Sequence, residues 1–239
     1  MPLKPIRFND LILLEDPDYI LINKPPFIST LEDRNDPQNI LAFAKEYAPD
    51  AQVCHRLDKD TSGVLAIAKN PAAYRHLSMQ LESRTVKKIY HAVIDGTHQF
   101  HNLLVDAPIL KQNDGTVKIS RQGKAAQTYF TTLQVYKEQT LVECNPITGR
   151  MHQIRIHLTR LNASITGDEA YGGKPFFLSS VKRGFKLEKL TEEQPLIKRM
   201  ALHAFSMQFI DVQGHEIVAI APYPRDFHAL LKQLSQNLR

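Results

Sequence analysis

Strand-like runs outnumber helical stripes in this chain, and they follow one another in hairpin order instead of alternating strictly with helices. Residues 11–14 and 19–22 flank Asp16-Pro17-Asp18, where Pro and Asp favour a reversal, and the second run enters a loop at Pro25-Pro26. Further strands are predicted at 52–54, 63–69, 88–94, 127–136 and 141–144, with a late hairpin, 205–212 and 216–221, around Gly214. Helical spacing appears at Ile40, Leu41, Phe43, Ala44 and Tyr47. After the Asn70-Pro71 start signal it returns at Tyr74, Leu77, Ser78 and Leu81. Met151, Ile154, Leu158 and Leu161 form a third stripe, and Phe227, Leu230, Leu231 and Leu234 a fourth. Such an order argues for an α+β fold: a mixed, mainly antiparallel β-sheet core with flanking helices, expected as one domain over residues 1–239.

With 239 residues, 43% hydrophobic and 23% charged, the chain can bury a sizeable core without disulfide or metal support. No stretch approaches the roughly 18 to 20 apolar residues of a membrane helix. The opening MPLKPIRFND has no apolar run behind Lys4 and Arg7, so no secretory leader is expected. Cys54 and Cys144 are far apart and lack metal or redox spacing, which fits a reducing cytoplasm. A net charge of +5 leans toward an anionic partner. The segment 181–199 leans the same way, setting Lys182, Arg183, Lys186, Lys189, Lys198 and Arg199 against Glu188, Glu192 and Glu193. A solvated loop flank explains that charge equally well.

Two segments concentrate reactive groups. In His55-Arg56-Leu57-Asp58-Lys59-Asp60-Thr61-Ser62-Gly63 polar side chains sit between two apolar strands. An ordinary polar turn has the same composition. Alternatively, the Asp58 carboxylate, flanked by Arg56 and Lys59, serves as a nucleophile or base. The second segment, Thr148 to His157, carries Arg150 and Arg155 on neighbouring faces of two expected helical turns, where guanidiniums can grip a carboxylate or phosphates. Its His152 and His157 do not suit a metal, since a spacing of five sets them about 140° apart around a helix.

HRLDKDTSG, the tyrosine of Lys87-Lys88-Ile89-Tyr90, TGRMHQIRIHL and Ala201-Leu202-His203-Ala204, in this order, resemble the RluA-type RNA pseudouridine synthases. Asn23 to Pro26, and Ile165-Thr166-Gly167-Asp168 with Tyr171-Gly172-Gly173, add to the resemblance. Many members carry an S4-like RNA-binding domain ahead of these motifs. Here the motifs begin almost at once, so none is expected.

The resemblance implies isomerisation of a uridine within ribosomal or transfer RNA to pseudouridine, with no cofactor and no metal. Asp58 would be the nucleophile, attacking the anomeric carbon or inducing a glycal-type intermediate. Arg155 would pair with Asp58. Tyr90 would stack on the target uracil and help take the C5 proton. Arg56 would fill the gap left by the flipped nucleotide, with His55, Thr61, Arg150 and His152 also facing RNA. Leu57 and Ile154 would pack around the site, and His203 would be a hydrogen-bonded scaffold residue. A cytoplasmic monomer acting on RNA, without membrane attachment, is the expectation. A catalytically silent RNA-binding or chaperone module on the same fold is the alternative. A hydrolase using Asp58 and a histidine has no supporting motif.

Overall fold

Asp16 closes the first reversal itself. Its carboxylate accepts the N–H groups of Asp18 and Tyr19 at 2.7 and 2.6 Å, an Asx-type turn of the kind that Asp favours. A computed structural model describes residues 7–32, 38–182, 184–187 and 192–237. In chain order the strands are β1 (Ile12–Glu15), β2 (Tyr19–Lys24), β3 (Gln52–Val53), β4 (Ser62–Ala68), β5 (Lys87–Asp95), β6 (Leu103–Asp106), β7 (Ile109–Lys111), β8 (Val117–Ile119), β9 (Gln127–Val135), β10 (Gln139–Pro146), β11 (Leu202–Ile210) and β12 (Glu216–Ile220). The α-helices are α1 (Ile40–Tyr47), α2 (Pro71–Ser83), α3 (Gln153–Arg160) and α4 (Arg225–Gln236). This is the mixed α+β architecture with mainly antiparallel pairing that hairpin order implies.

Contacts divide the chain into two compact units, each drawn from two stretches of sequence. One comprises the chain up to Lys88 with Ala204–Pro222, the other Ile89–His203 with the chain from Tyr223 onward. In the first unit β4 pairs with β2, β3 and β11, and β12 continues beyond β11. Every residue of β4 is buried, which is why its sequence, SGVLAIA, is a continuous small and apolar run without alternation. Gly63, second in that strand, sits at φ +116°, and a Cβ built there would overlap the Ala204 carbonyl of β11, so glycine alone permits this approach.

Helix α2 starts where the Asn70-Pro71 signal placed it, with the Asn70 side chain accepting the Ala73 N–H at 2.9 Å. Its buried stripe differs from the expected one: Ala73 and Leu77 face the core, whereas Tyr74 is exposed. The Tyr19 hydroxyl donates to the Ala73 carbonyl at 3.0 Å, so the small alanine sets the close face.

In the second unit β5, β10, β9 and β6 lie in that order, and Tyr90 stands opposite Cys144. Ala92, Ile94, Phe130, Val142, Leu158, Phe227 and Leu230 build its core with α3 and α4. A short hairpin, β7–β8, stands apart as its own small sheet. Strands β6, β7 and β8 have no counterpart in the sequence reading, because they are three or four residues long and β6 buries only Val105. Arg199, its side chain fully buried, reaches Asp226 at the start of α4 at 2.7 and 3.1 Å and the Leu202 carbonyl at 3.1 Å. Both cysteines are free thiols. Among the described residues no helix is long and apolar enough to cross a membrane.

Candidate active site

The connection from β3 to β4 carries Asp58, and the first unit fastens it from behind. Lys24, fully buried at the end of β2, donates from Nζ to the carbonyls of Pro25, Ile28 and Lys59 at 2.9, 2.8 and 3.1 Å. Burying an ammonium is costly unless its donors are met, and three carbonyls meet them. Thr30 adds a second tie: its hydroxyl donates to the Leu57 carbonyl at 2.9 Å and accepts the Leu57 N–H at 3.2 Å. The Thr61 N–H closes a turn on the Asp58 carbonyl at 3.0 Å, and Phe27 N–H binds the Lys59 carbonyl at 2.9 Å. Arg56 and Lys59 are exposed, Asp58 is half-buried, and Leu57 is buried as expected of a packing residue. Thr61, expected to face RNA, is only 2% exposed, because the strand it introduces is buried throughout.

His55 serves the loop in a similar way. Its Nε2 accepts the Ala66 N–H of β4 at 3.1 Å, so the proton of the neutral ring belongs on Nδ1. Burial first, and the Lys88 charge second, push its pKa from 6.5 down to about 3. The unfolded chain therefore takes up a proton below pH 6.5 that the folded chain refuses. This contribution is fully present above that pH and erodes as pH falls toward 3. The thermal midpoint should fall across this window, and His55→Gln, which can accept the same N–H without titrating, should flatten the decline. An unchanged profile in the variant would remove His55 from the cause.

In the second unit, helix α3 begins one residue after His152, which adopts a left-handed conformation at φ +51°. Arg150 and His152 therefore precede the helix and do not share its turns with Arg155, contrary to the expected placement. Gln153 shapes that entry. Its Oε1 accepts the Thr148 hydroxyl at 2.7 Å and the Arg150 N–H at 3.0 Å, while Nε2 donates to the Gln127 carbonyl and the Thr128 hydroxyl, both at 2.9 Å. Arg150 is exposed, with Nε on the Ala125 carbonyl at 3.1 Å. His157 is fully buried between the Thr128 hydroxyl and the Ala107 carbonyl, both at 3.0 Å.

Arg155 is bidentate on Asp168, Nε to Oδ2 and Nη2 to Oδ1, both at 2.7 Å. The two side chains are 11% and 3% exposed. The guanidinium carbon lies 4.7 Å from the centre of the Tyr171 ring, a cation–π distance. The Tyr171 hydroxyl in turn meets His152 Nδ1 at 2.9 Å and accepts the Val117 N–H at 3.0 Å. Arg155, Asp168, Tyr171 and His152 thus form one cluster, of which the sequence offers only Arg155 and His152 as candidate site residues. Gly167-Asp168 and Tyr171-Gly172 were visible as motif residues, but nothing in their spacing revealed which side chain they serve. Tyr90 is half-buried on β5 against the core. His203 is buried against the rings of Tyr223 and Phe227.

Exposed cations gather along β7–β8 and its exit. Lys111, Lys118, Arg121 and Lys124 all face solvent, with Asp114 in the intervening turn. The sequence offers a second basic segment at 181–199, with a solvated flank as the equal alternative. Within that segment Lys182 and Lys186 are exposed, Arg199 is committed to Asp226, and Arg183, Glu188 and Lys189 lie outside the described residues. Among the described residues no group of three His, Cys, Asp or Glu side chains is arranged to hold a metal ion.

Residues 18–160 match the family model described as RNA pseudouridylate synthase. Ribosomal large subunit pseudouridine synthase C of Pasteurella multocida (strain Pm70) is 34% identical over 242 residues, covering 98% of this chain and 71% of that protein. The protein of the same name from Buchnera aphidicola subsp. Baizongia pistaciae (strain Bp) is 35% identical over 237 residues, with 96% and 72% coverage. Among solved structures, human RNA pseudouridylate synthase domain containing 4 superimposes with a TM-score of 0.72 at 25% identity, over 95% of this chain and 94% of that one. With a family match running through both the Asp58 loop and the Arg155 helix, and relatives aligned over almost its whole length, this chain belongs to the RNA pseudouridylate synthase family.

Proposed function

We propose that this protein converts uridine to pseudouridine in structured RNA, with ribosomal RNA the first candidate because its relatives are named for the large ribosomal subunit. The reaction breaks the N1–C1′ bond, forms C5–C1′ and exchanges the C5 proton for one on N1, so it is balanced within the substrate. The observation that carries this reading is the Asp58 loop: a carboxylate between exposed Arg56 and Lys59, on a backbone held by Lys24 and Thr30. Such a loop presents a nucleophile with little reorganisation. We assign the nucleophile to Asp58, uracil stacking to Tyr90 and the motif's cation to Arg155. Arg56 fills the place of the flipped base. Arg150 and the cations of the β7–β8 hairpin supply phosphate contacts.

Release of tritium from RNA labelled at uridine C5 tests the assignment directly. Transcripts of large-subunit ribosomal RNA and of transfer RNA should be compared, followed by chemical mapping of pseudouridine. Release from one class, at a defined position, is expected. Binding without release from either would favour the catalytically silent module.

A further inference from the structure

Phe27 is 49% exposed, yet its backbone is held at φ +68°, in the left-handed region that side-chain-bearing residues avoid. An exposed ring gains little from burial, so packing does not explain why a strained position carries phenylalanine in place of glycine. The conformation is imposed by neighbours. Lys24 Nζ holds the carbonyls of Pro25 and Ile28 on either side of Phe27, and the Phe27 N–H is bound to the Lys59 carbonyl at 2.9 Å. Lys24 also holds that same Lys59 carbonyl, so the Phe27 turn and the Asp58 turn are pinned at a common oxygen. Exposed Arg56 and Lys59 occupy the same loop. A rigidly presented aromatic face among cations is the combination that grips single-stranded nucleic acid, cations on phosphates and ring on base.

We propose that Phe27 is a stacking platform for an unpaired nucleobase of the RNA substrate, at a position other than the isomerised uridine assigned to Tyr90. This rests on the functional reading above. It deepens that reading by naming a residue that would select substrates with an unstacked base beside the target.

The test uses the full chain, which contains no tryptophan. Phe27→Gly removes the ring and relieves the backbone, so the variant should melt at the same or a higher temperature than the wild type. Its affinity for transcribed large-subunit ribosomal RNA should fall about 10-fold or more. Its KM should rise with it, while the single-turnover rate at saturating RNA holds. Phe27→Trp should restore affinity and introduce a lone indole whose emission is quenched on adding the same RNA. The proposal is overturned if Phe27→Gly binds like the wild type or melts lower, or if the indole emission does not respond at saturating RNA. Failure of the wild type itself to bind the RNA or release tritium would instead remove the functional reading.

Discussion

Asp58→Asn is expected to eliminate pseudouridine formation, by about 10⁴-fold or more, while affinity for RNA stays within about two-fold. The amide matches the carboxylate in shape but lacks the negative charge that the proposed attack on the sugar, or glycal formation, requires. Backbone contacts hold the loop on its course. Its turn is closed by the Thr61 N–H on the Asp58 carbonyl, and Lys24 and Thr30 hold the neighbouring backbone. Tritium release and filter binding on one preparation separate the two effects. Turnover above background in a preparation free of wild-type enzyme would take the nucleophile role away from Asp58.

Asp168→Asn is expected to lower the single-turnover rate by about 100-fold, with the melting temperature reduced as well. The wild-type carboxylate offers two oxygens to one guanidinium at 2.7 Å each, in a pair almost closed to solvent. An amide offers one oxygen and turns an NH₂ group toward a donor, so Arg155 loses the bidentate carboxylate that fixes its plane. Arg155→Lys should give a similar rate loss, because an ammonium cannot make the bidentate contact that holds the guanidinium over Tyr171. Combining the two changes should cost little more than either alone, as expected for residues acting through one another. Additive losses in the double variant would mean that Asp168 acts independently of Arg155.

The hairpin at Asp16-Pro17-Asp18, the start of α2 at Asn70-Pro71 and the C-terminal helix were legible because each is set by short-range chemistry. Turn residues, a cap and an apolar stripe are enough for these. The start of α3 was not. A left-handed His152 has no local signature, since it follows from Gln153 binding Thr148, Arg150 and Thr128 at once. Nothing local to Lys24 and its two prolines marks it as interior; that follows only from the carbonyls of its own turn, Pro25 and Ile28, converging on it with that of remote Lys59. Candidate chemistry at Asp58, Tyr90 and Arg155 was readable from ordered motifs, whereas Asp168 and Tyr171 became partners of Arg155 only in three dimensions. Phe27 was invisible for the same reason: strain and exposure are properties of a conformation, not of a letter.

The discontinuous make-up of the first unit bears on how the protein is made. Strand β4 is buried along its whole length, and most of one of its neighbours, β11, lies in the segment Ala204–Pro222. At ordinary elongation rates, that neighbour leaves the ribosome on the order of ten seconds after β4 does. For that interval a sticky strand edge stands open, the kind of surface that pairs with other chains or is shielded by chaperones. The Asp58 loop, which leads directly into β4, therefore reaches its final form only late in translation. Nascent chains released early would carry every letter of the HRLDKDTSG motif without the framework that holds it in place.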